Sequence, residues 1–136
     1  MTKKKNARIL IVDEDASIRH SFKSVLEIEP FDIHEAQNGT QCLAKMRENT
    51  YDIIFLAIHD QDTEGVKYLD KIKAHSPKTD VIIISGNMSI RTAMRCLRHG
   101  AAYFLIKPFD LKDLLDTIHE TLSNQKKTID TFVTYG

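Results

Sequence analysis

Residues suited to phosphate and metal chemistry follow several apolar runs of the sequence. Asp13 and Glu14 come directly after the first run, Ser85 after the fourth and Lys107 after the fifth. Because the carboxyl ends of parallel strands meet at one edge of a sheet, we expect these side chains to lie close together. Carboxylates suit a hard cation such as Mg²⁺, and an ammonium and a hydroxyl suit phosphoryl oxygens. The alternative is an ordinary solvated loop edge, since such loops are polar in any parallel fold.

The elements that must position these residues alternate along the chain. Apolar runs typical of strands buried on both faces are separated by stretches in which apolar residues recur at helical spacing. Five such strand–helix pairs predict an α/β, flavodoxin-like, doubly wound parallel sheet with strand order 2-1-3-4-5 and five helices. The predicted strands are Ile9–Val12, Phe31–Ala36, Ile53–Ile58, Val81–Ile84 and Tyr103–Ile106.

Helix boundaries and domain limits follow from single residues. Asp15 or Ser17 is expected to begin the first helix, Asp110 to begin the last, and Gly100 to end the fourth. Residues 1–123 are predicted to form one domain. Residues 124–136 have no clean apolar period and are predicted to be a linker or a flexible C-terminal tail.

Composition restricts the class of protein. Nineteen Lys and Arg residues balance nineteen Asp and Glu residues, which argues against a nonspecific nucleic-acid or membrane-surface binder. The apolar runs fall well short of the roughly 20 residues of a membrane span, and we expect no secretory signal. Cys42 and Cys96 lie in no metal or redox motif and are expected to be reduced, partly buried thiols. These features predict a cytoplasmic protein.

Four segments form a set that one protein family shares. They are Ile9–Asp15, Tyr51–Leu56, Ile82–Gly86 and Gly100–Phe109. Together they resemble the receiver domain of bacterial two-component response regulators, and the last segment is the most specific. The resemblance covers about residues 7–122, and the helix after the fourth strand is most similar to regulators of the nitrogen-regulation and nitrogen-fixation types.

The resemblance implies a role for each residue at the strand ends. The family transfers a phosphoryl group from a histidine of a sensor kinase to an aspartate of the receiver, which is a signalling module rather than an enzyme. Asp13 and Glu14 would be the acidic pair that holds Mg²⁺, with Glu14 in place of the more usual aspartate. Ser85 would turn its hydroxyl toward the phosphoryl oxygens. Lys107 would bridge the phosphate and the acids.

Further positions match the family's pattern and imply its partners. Phe104 falls at the aromatic switch position, and the Lys107–Pro108 bond would be cis. The implied partners are a sensor histidine kinase, an output domain or another protein, with a homodimer through the fourth helix, fifth strand and fifth helix. We expect no direct contact with nucleic acid or membrane. A solvated basic face is the alternative for this surface, which includes Arg91, Arg95, Arg98, Tyr103 and Lys112.

The chain departs from the family at the phosphoacceptor position. The acceptor aspartate belongs at the end of the third strand, where Ala57 stands, and a methyl group is neither a nucleophile nor a metal ligand. Asp60 lies about 10 Å further along an extended chain, too far for a reaction that depends on positioning. We therefore expect no phosphorylation, weakened Mg²⁺ binding at Asp13 and Glu14, and action through phosphate-independent contacts. Lys107 is then expected to pair with one of the two acids.

Other hypotheses stay open for this site. Ala57 is either a natural loss, which the altered Glu14 and Gln61 favour, or an engineered replacement of aspartate in a conventional phospho-accepting regulator. The intact hydroxyl and lysine favour the second explanation. A Mg²⁺-dependent hydrolase is a third hypothesis, which lacks a positioned nucleophile. Its reacting groups would be His59, Asp60 and Asp62 beside the acidic pair.

Overall fold

Strands and helices alternate throughout the chain. The computed structural model describes residues 6–59, 63–87 and 89–135, with the backbone alone at residue 63 and residues 125–135. The strands are β1 (Arg8–Val12), β2 (Asp32–Ala36), β3 (Ile53–Ala57), β4 (Asp80–Ser85) and β5 (Tyr103–Ile106). The helices are α1 (Ala16–Leu26), α2 (Gly39–Glu48), α3 (Thr63–His75), α4 (Ile90–Arg98) and α5 (Leu111–Tyr135).

The strands form one parallel sheet in the order β2-β1-β3-β4-β5. This order confirms the predicted flavodoxin-like fold. Strand β3 lies at the centre of the sheet, between β1 and β4. The carboxyl end of β3 is therefore the middle of the edge at which loops from both halves of the sheet meet.

The core has two layers because successive strand residues point to opposite faces of the sheet. On one face, Leu10, Ile54 and Ile83 pack with buried residues of α2, α3 and α4. On the other face, Phe55 packs with buried residues of α1 and α5, such as Phe22. The Phe22 and Phe55 rings meet edge to face, with their centroids 4.9 Å apart. Both faces of the sheet are covered, as continuous apolar strands require.

Capping residues set the helix ends as predicted from the sequence. Asp15 caps α1 by accepting a hydrogen bond from the Ser17 amide at 2.8 Å. Asp110 accepts from the Asp113 amide at 2.8 Å and so caps the first turn of α5. Gly100 follows α4 with φ of 102°, a left-handed conformation that glycine adopts without steric cost.

Helix α5 extends further than the apolar period indicated. Its backbone is helical to Tyr135, through most of the segment predicted to be a linker or flexible tail. Once the packed first half of a helix has formed, extending it costs little free energy, because each added residue gains one hydrogen bond. The domain boundary at residue 123 stays a prediction. Within the described ranges, no helix is long and apolar enough to cross a membrane.

Candidate functional site

The strand ends bring the predicted site residues to one edge of the sheet. Val12 lies beside Leu56 in the register of β1 and β3. Ala57, the last residue of β3, lies beside Ile84 of β4. Asp13 follows Val12 directly, so it stands next to Ala57 at the centre of the edge.

The acidic pair lines a cavity of about 310 Å³ at this edge. The walls come from the loops after β1 and β2, the end of β3 and the start of α3. Ala57 lies in this wall with Asp13 and Glu14, and Glu64 and Tyr68 enter it from α3. Asp13 is half-buried, whereas Glu14 is exposed. The arrangement is an open acidic pocket with a methyl group at its centre.

Hydrogen bonds hold the loop that carries the acidic pair. The Asp13 amide donates to the Ala36 carbonyl at 3.1 Å, which fixes the end of β1 against β2. The Asp13 Oδ1 atom accepts from the Asp15 amide at 2.9 Å. Among the described residues, no group of three or more His, Cys, Asp or Glu side chains is arranged to hold a metal ion.

Ser85 and Lys107 stand beside each other at the ends of β4 and β5. Ser85 is buried, and its Oγ atom accepts from the Asn87 amide at 3.3 Å. The Lys107 amide donates to the Ser85 carbonyl at 2.8 Å. The expected pairing of Lys107 with an acid is wrong: none of the ion pairs within the described residues joins it to Asp13 or Glu14. The acids follow β1 and Lys107 follows β5, and strands β3 and β4 lie between those two strands in the sheet.

That second cavity is an apolar groove of about 390 Å³ between α1 and the start of α5. Ile18 and Phe22 form one wall, and Leu111 and Leu114 form the other. Lys107 and Asp110 line it as well, so the groove combines an apolar surface with one cation and one anion.

The two remaining positions that the resemblance implied lie around β5. Phe104 is partly buried and packs against the core on the α2–α3 face. The Lys107–Pro108 peptide bond is cis, as the resemblance implied. Next to it, the Phe109 ring lies 6.2 Å from the Phe22 ring, centroid to centroid.

The remaining candidate groups are the polar residues after β3 and the two cysteines. His59 is exposed, and Asp60, Gln61 and Asp62 lie outside the described residues. Both cysteines are free and fully buried, more so than the sequence indicated. Burial raises the pKa of Cys42 to about 12 and also raises the pKa of Cys96. Neither thiol is therefore a reactive nucleophile near neutral pH.

Sequence reasoning missed a contact between α2 and α3 at the rim of the acidic cavity. The Tyr68 ring covers Gly39 so closely that a Cβ atom there would lie 2.2 Å from the ring. The Tyr68 hydroxyl is 3.0 Å from the Thr40 Oγ1 atom. The only sequence signal is the Asn38–Gly39 pair, which is typical of a turn. A glycine selected by a tertiary contact looks the same in a sequence as one selected by a turn.

This fold and site match one family of signalling domains. Residues 9–119 match the model of the response regulator receiver domain, and the chain belongs to that family. The chain is 31% identical over 118 residues to the regulatory protein AtoC of Escherichia coli K12. It is 33% identical over 118 residues to the transcriptional regulatory protein ZraR of Klebsiella oxytoca. Each alignment covers 87% of this chain but only 26% and 27% of the relative, respectively, so the chain spans about a quarter of those proteins.

Solved structures agree with the family assignment. A CheY-like receiver domain protein from Methanospirillum hungatei JF-1 superimposes with a TM-score of 0.84 at 32% identity, over 91% of this chain and 99% of that one. NtrX from Brucella abortus in complex with ADP gives a TM-score of 0.83 at 28% identity, over 96% of this chain and 29% of that one. The chain is thus a receiver domain of the two-component type.

Proposed function

We propose that this chain is a receiver module that accepts no phosphoryl group, because Ala57 holds the phosphoacceptor position. The observation that supports this is the methyl side chain at the carboxyl end of the central strand, beside Asp13 in the sheet register. Phosphoryl transfer depends almost entirely on a positioned nucleophile and charge stabilisation. A methyl group supplies neither. The module is therefore a signalling protein without a phosphorylated state of its own.

Weak cation binding is part of this proposal. Asp13 and Glu14 would hold Mg²⁺, which keeps several water ligands and accepts one or two carboxylates. When bound, the ion would supply positive charge to the pocket. An aspartate at position 57 would add a third negative ligand beside Asp13, and Ala57 does not. We therefore expect lower Mg²⁺ affinity than in a receiver with that aspartate, and no requirement for the ion.

The proposed module acts through protein contacts. A partner that prefers one conformation of the domain shifts its population without any chemical step. The partners would be a sensor histidine kinase, an output domain or another regulator. The apolar groove that Ile18, Phe22 and Leu111 line beside Lys107 offers such a partner both apolar area and a charge.

A homodimer through α4, β5 and α5 is the second proposed contact. Ile90, Met94 and Leu97 recur on one face of α4 and are 83%, 52% and 37% exposed. Ile106 on β5 is 50% exposed and extends the apolar area. Replacing Met94→Glu is expected to abolish self-association in sedimentation velocity. The fold should remain, because the exposed Met94 is not part of the core, and a dimer that persists would contradict the use of this surface.

A conventional regulator with an engineered Asp-to-Ala change is the alternative. Ser85 and Lys107, joined by a backbone hydrogen bond of 2.8 Å, favour it, since both match the family's pattern. Glu14 does not match the usual residue and favours a natural loss. A Mg²⁺-dependent hydrolase has less support, because it lacks a positioned nucleophile at the strand ends. Restoring a carboxylate at position 57 distinguishes the two cases. The variant will accept a phosphoryl group if the rest of the pocket is competent, and will not if other pocket residues have changed as well.

Beryllium fluoride tests the proposal, because it coordinates an aspartate carboxylate and imitates a phosphoryl group. In amide NMR spectra with Mg²⁺ and beryllium fluoride, we expect no change for the parent chain. The Ala57→Asp variant should shift amides around Ser85 and Lys107. Ala57→Asn is the matched control, since it has the shape of aspartate without the carboxylate, and should not respond. A response of the parent chain at these amides would overturn the proposal.

A further inference from the structure

Arg19 is a buried cation that none of the proposed chemistry explains. It lies on α1 among the apolar residues that dock this helix, and it is only 9% exposed. Its Nη1 atom donates to the Asp13 carbonyl at 2.6 Å. Its Nε atom lies 3.4 Å from the Glu35 Oε1 atom, close enough for an ion pair but without hydrogen-bond geometry. A buried charge is costly unless it is paired, so this position calls for a specific role.

The contacts of Arg19 converge on the backbone of the acidic loop. The Asp13 amide is held by the Ala36 carbonyl, and the Asp13 carboxylate is held by the Asp15 amide. The Asp13 carbonyl is held by the arginine. That carbonyl belongs to the peptide group that joins Asp13 to Glu14. The orientation of this peptide group therefore sets the direction in which the backbone continues from Asp13 to Glu14.

We infer that Arg19 is a positioning residue for the acidic pair, fixing the Asp13–Glu14 peptide and tying it to β2 through Glu35. The inference rests on the proposed cation-binding role of the pair. Arg19 acts through the main chain, because the contact is to the carbonyl of Asp13. It fixes the backbone from which both carboxylates extend.

The planar guanidinium suits this role better than an ammonium. Its donors point in fixed, different directions, so one side chain reaches both the Asp13 carbonyl and the Glu35 carboxylate. An Arg19→Lys variant keeps one donor for the carbonyl but not this two-sided geometry. We therefore expect it to restore part of the effect that Arg19→Gln removes.

Amide hydrogen exchange of the parent chain and its variants gives the first test. A hydrogen bond to a charged group contributes about 1.5–3 kcal/mol, so Arg19→Gln should speed exchange at Asp13 and Asp15 by about tenfold or more. Exchange at Phe22 and Leu26, further along α1, should stay near the parent rate. Arg19→Lys should lie between. Lys23→Gln, which removes a cation from the same helix, is the control and should leave Asp13 unchanged.

Equal acceleration along the whole of α1 would overturn the inference, since it would show a merely structural role. Glu35→Gln serves as a milder variant if Arg19→Gln does not fold, and it should speed exchange at Asp13 as well. Unchanged exchange at Asp13 in Glu35→Gln would overturn the link to β2.

Mn²⁺ binding gives the second test, in the Ala57→Asp background where affinity is expected to be higher. Paramagnetic broadening of the Asp13 and Glu14 amides should need several-fold more Mn²⁺ once Arg19→Gln is added. Unchanged affinity would overturn the positioning role. If the Ala57→Asp chain binds no Mn²⁺ at all, the proposed cation role of the acidic pair fails. The exchange measurements still decide whether Arg19 holds the loop.

Discussion

At the scale of single residues, we propose that the methyl group of Ala57 separates this site from a phosphate-accepting one. Ala57 lies at the centre of the sheet edge, beside Asp13. Ser85 and Lys107, which we propose fill the family's hydroxyl and lysine positions, lie side by side. Within the described residues, no ion pair joins Lys107 to Asp13 or Glu14.

Gly39 at the cavity rim gives a prediction about stability. In Gly39→Ala, the new Cβ would meet the Tyr68 ring at 2.2 Å, so the ring or α3 must move. We expect a loss of about 1–3 kcal/mol in the free energy of unfolding, measured by urea denaturation. Gly86→Ala is the matched control, because the closest atom to its Cβ is 4.0 Å away, and it should change stability by less than about 0.5 kcal/mol. Equal effects of the two changes would contradict the tight contact.

Asp32, at the opposite edge of the sheet, gives a prediction about pH. The hydrogen bond from Arg8, 2.8 Å long, lowers the pKa of this carboxyl below its ordinary value of 3.8. Its stabilisation is therefore present above that value and is lost as the pH falls through the lower, folded-state pKa. Asp32→Asn should flatten the decline of unfolding free energy below about pH 4. Arg8→Gln should do the same, and an undiminished slope in both variants would contradict the assignment.

At the scale of elements, the sequence predicted the strands, the parallel sheet and the residues at its edge. Apolar runs and caps such as Asp15 and Asp110 are local signals, and the structure follows them. Tertiary contacts gave no such signal. The role of Arg19 could not be predicted from the sequence, because its partners Asp13 and Glu35 come together only through the crossover from β1 to β2. The predicted Lys107–acid pair failed because strand order fixes which loop a residue follows, but not the direction of its side chain.

Helix α5 gives the prediction at this scale. Ile118 is fully buried against the α1 face of the sheet and should anchor the helix. We expect Ile118→Ala to lower the unfolding free energy by about 2–5 kcal/mol in urea titrations. Ile28→Ala is the matched control, since Ile28 is 62% exposed, and should cost less than about 0.5 kcal/mol. A cost of the same size at both positions would show that α5 is not held by this contact.

At the scale of the whole molecule, the chain is a receiver domain that spans about a quarter of regulators such as AtoC. Five strands and five helices form the receiver core, and we propose that Asp13, Ser85 and Lys107 at its edge fill the family's acid, hydroxyl and lysine positions. We propose that this domain signals without accepting phosphate, because the side chain of Ala57 offers no acceptor for a phosphoryl group. Its output would then depend on which partner binds and which conformation that partner prefers.

Intact mass spectrometry after incubation with Mg²⁺ and acetyl phosphate tests this claim most directly. The parent chain, Ala57→Asp and Ala57→Asn are treated in parallel. We expect only Ala57→Asp to gain one phosphoryl group, because it alone offers a carboxylate at the end of β3. A phosphoryl group on the parent chain would contradict the account, since another residue would then be the acceptor.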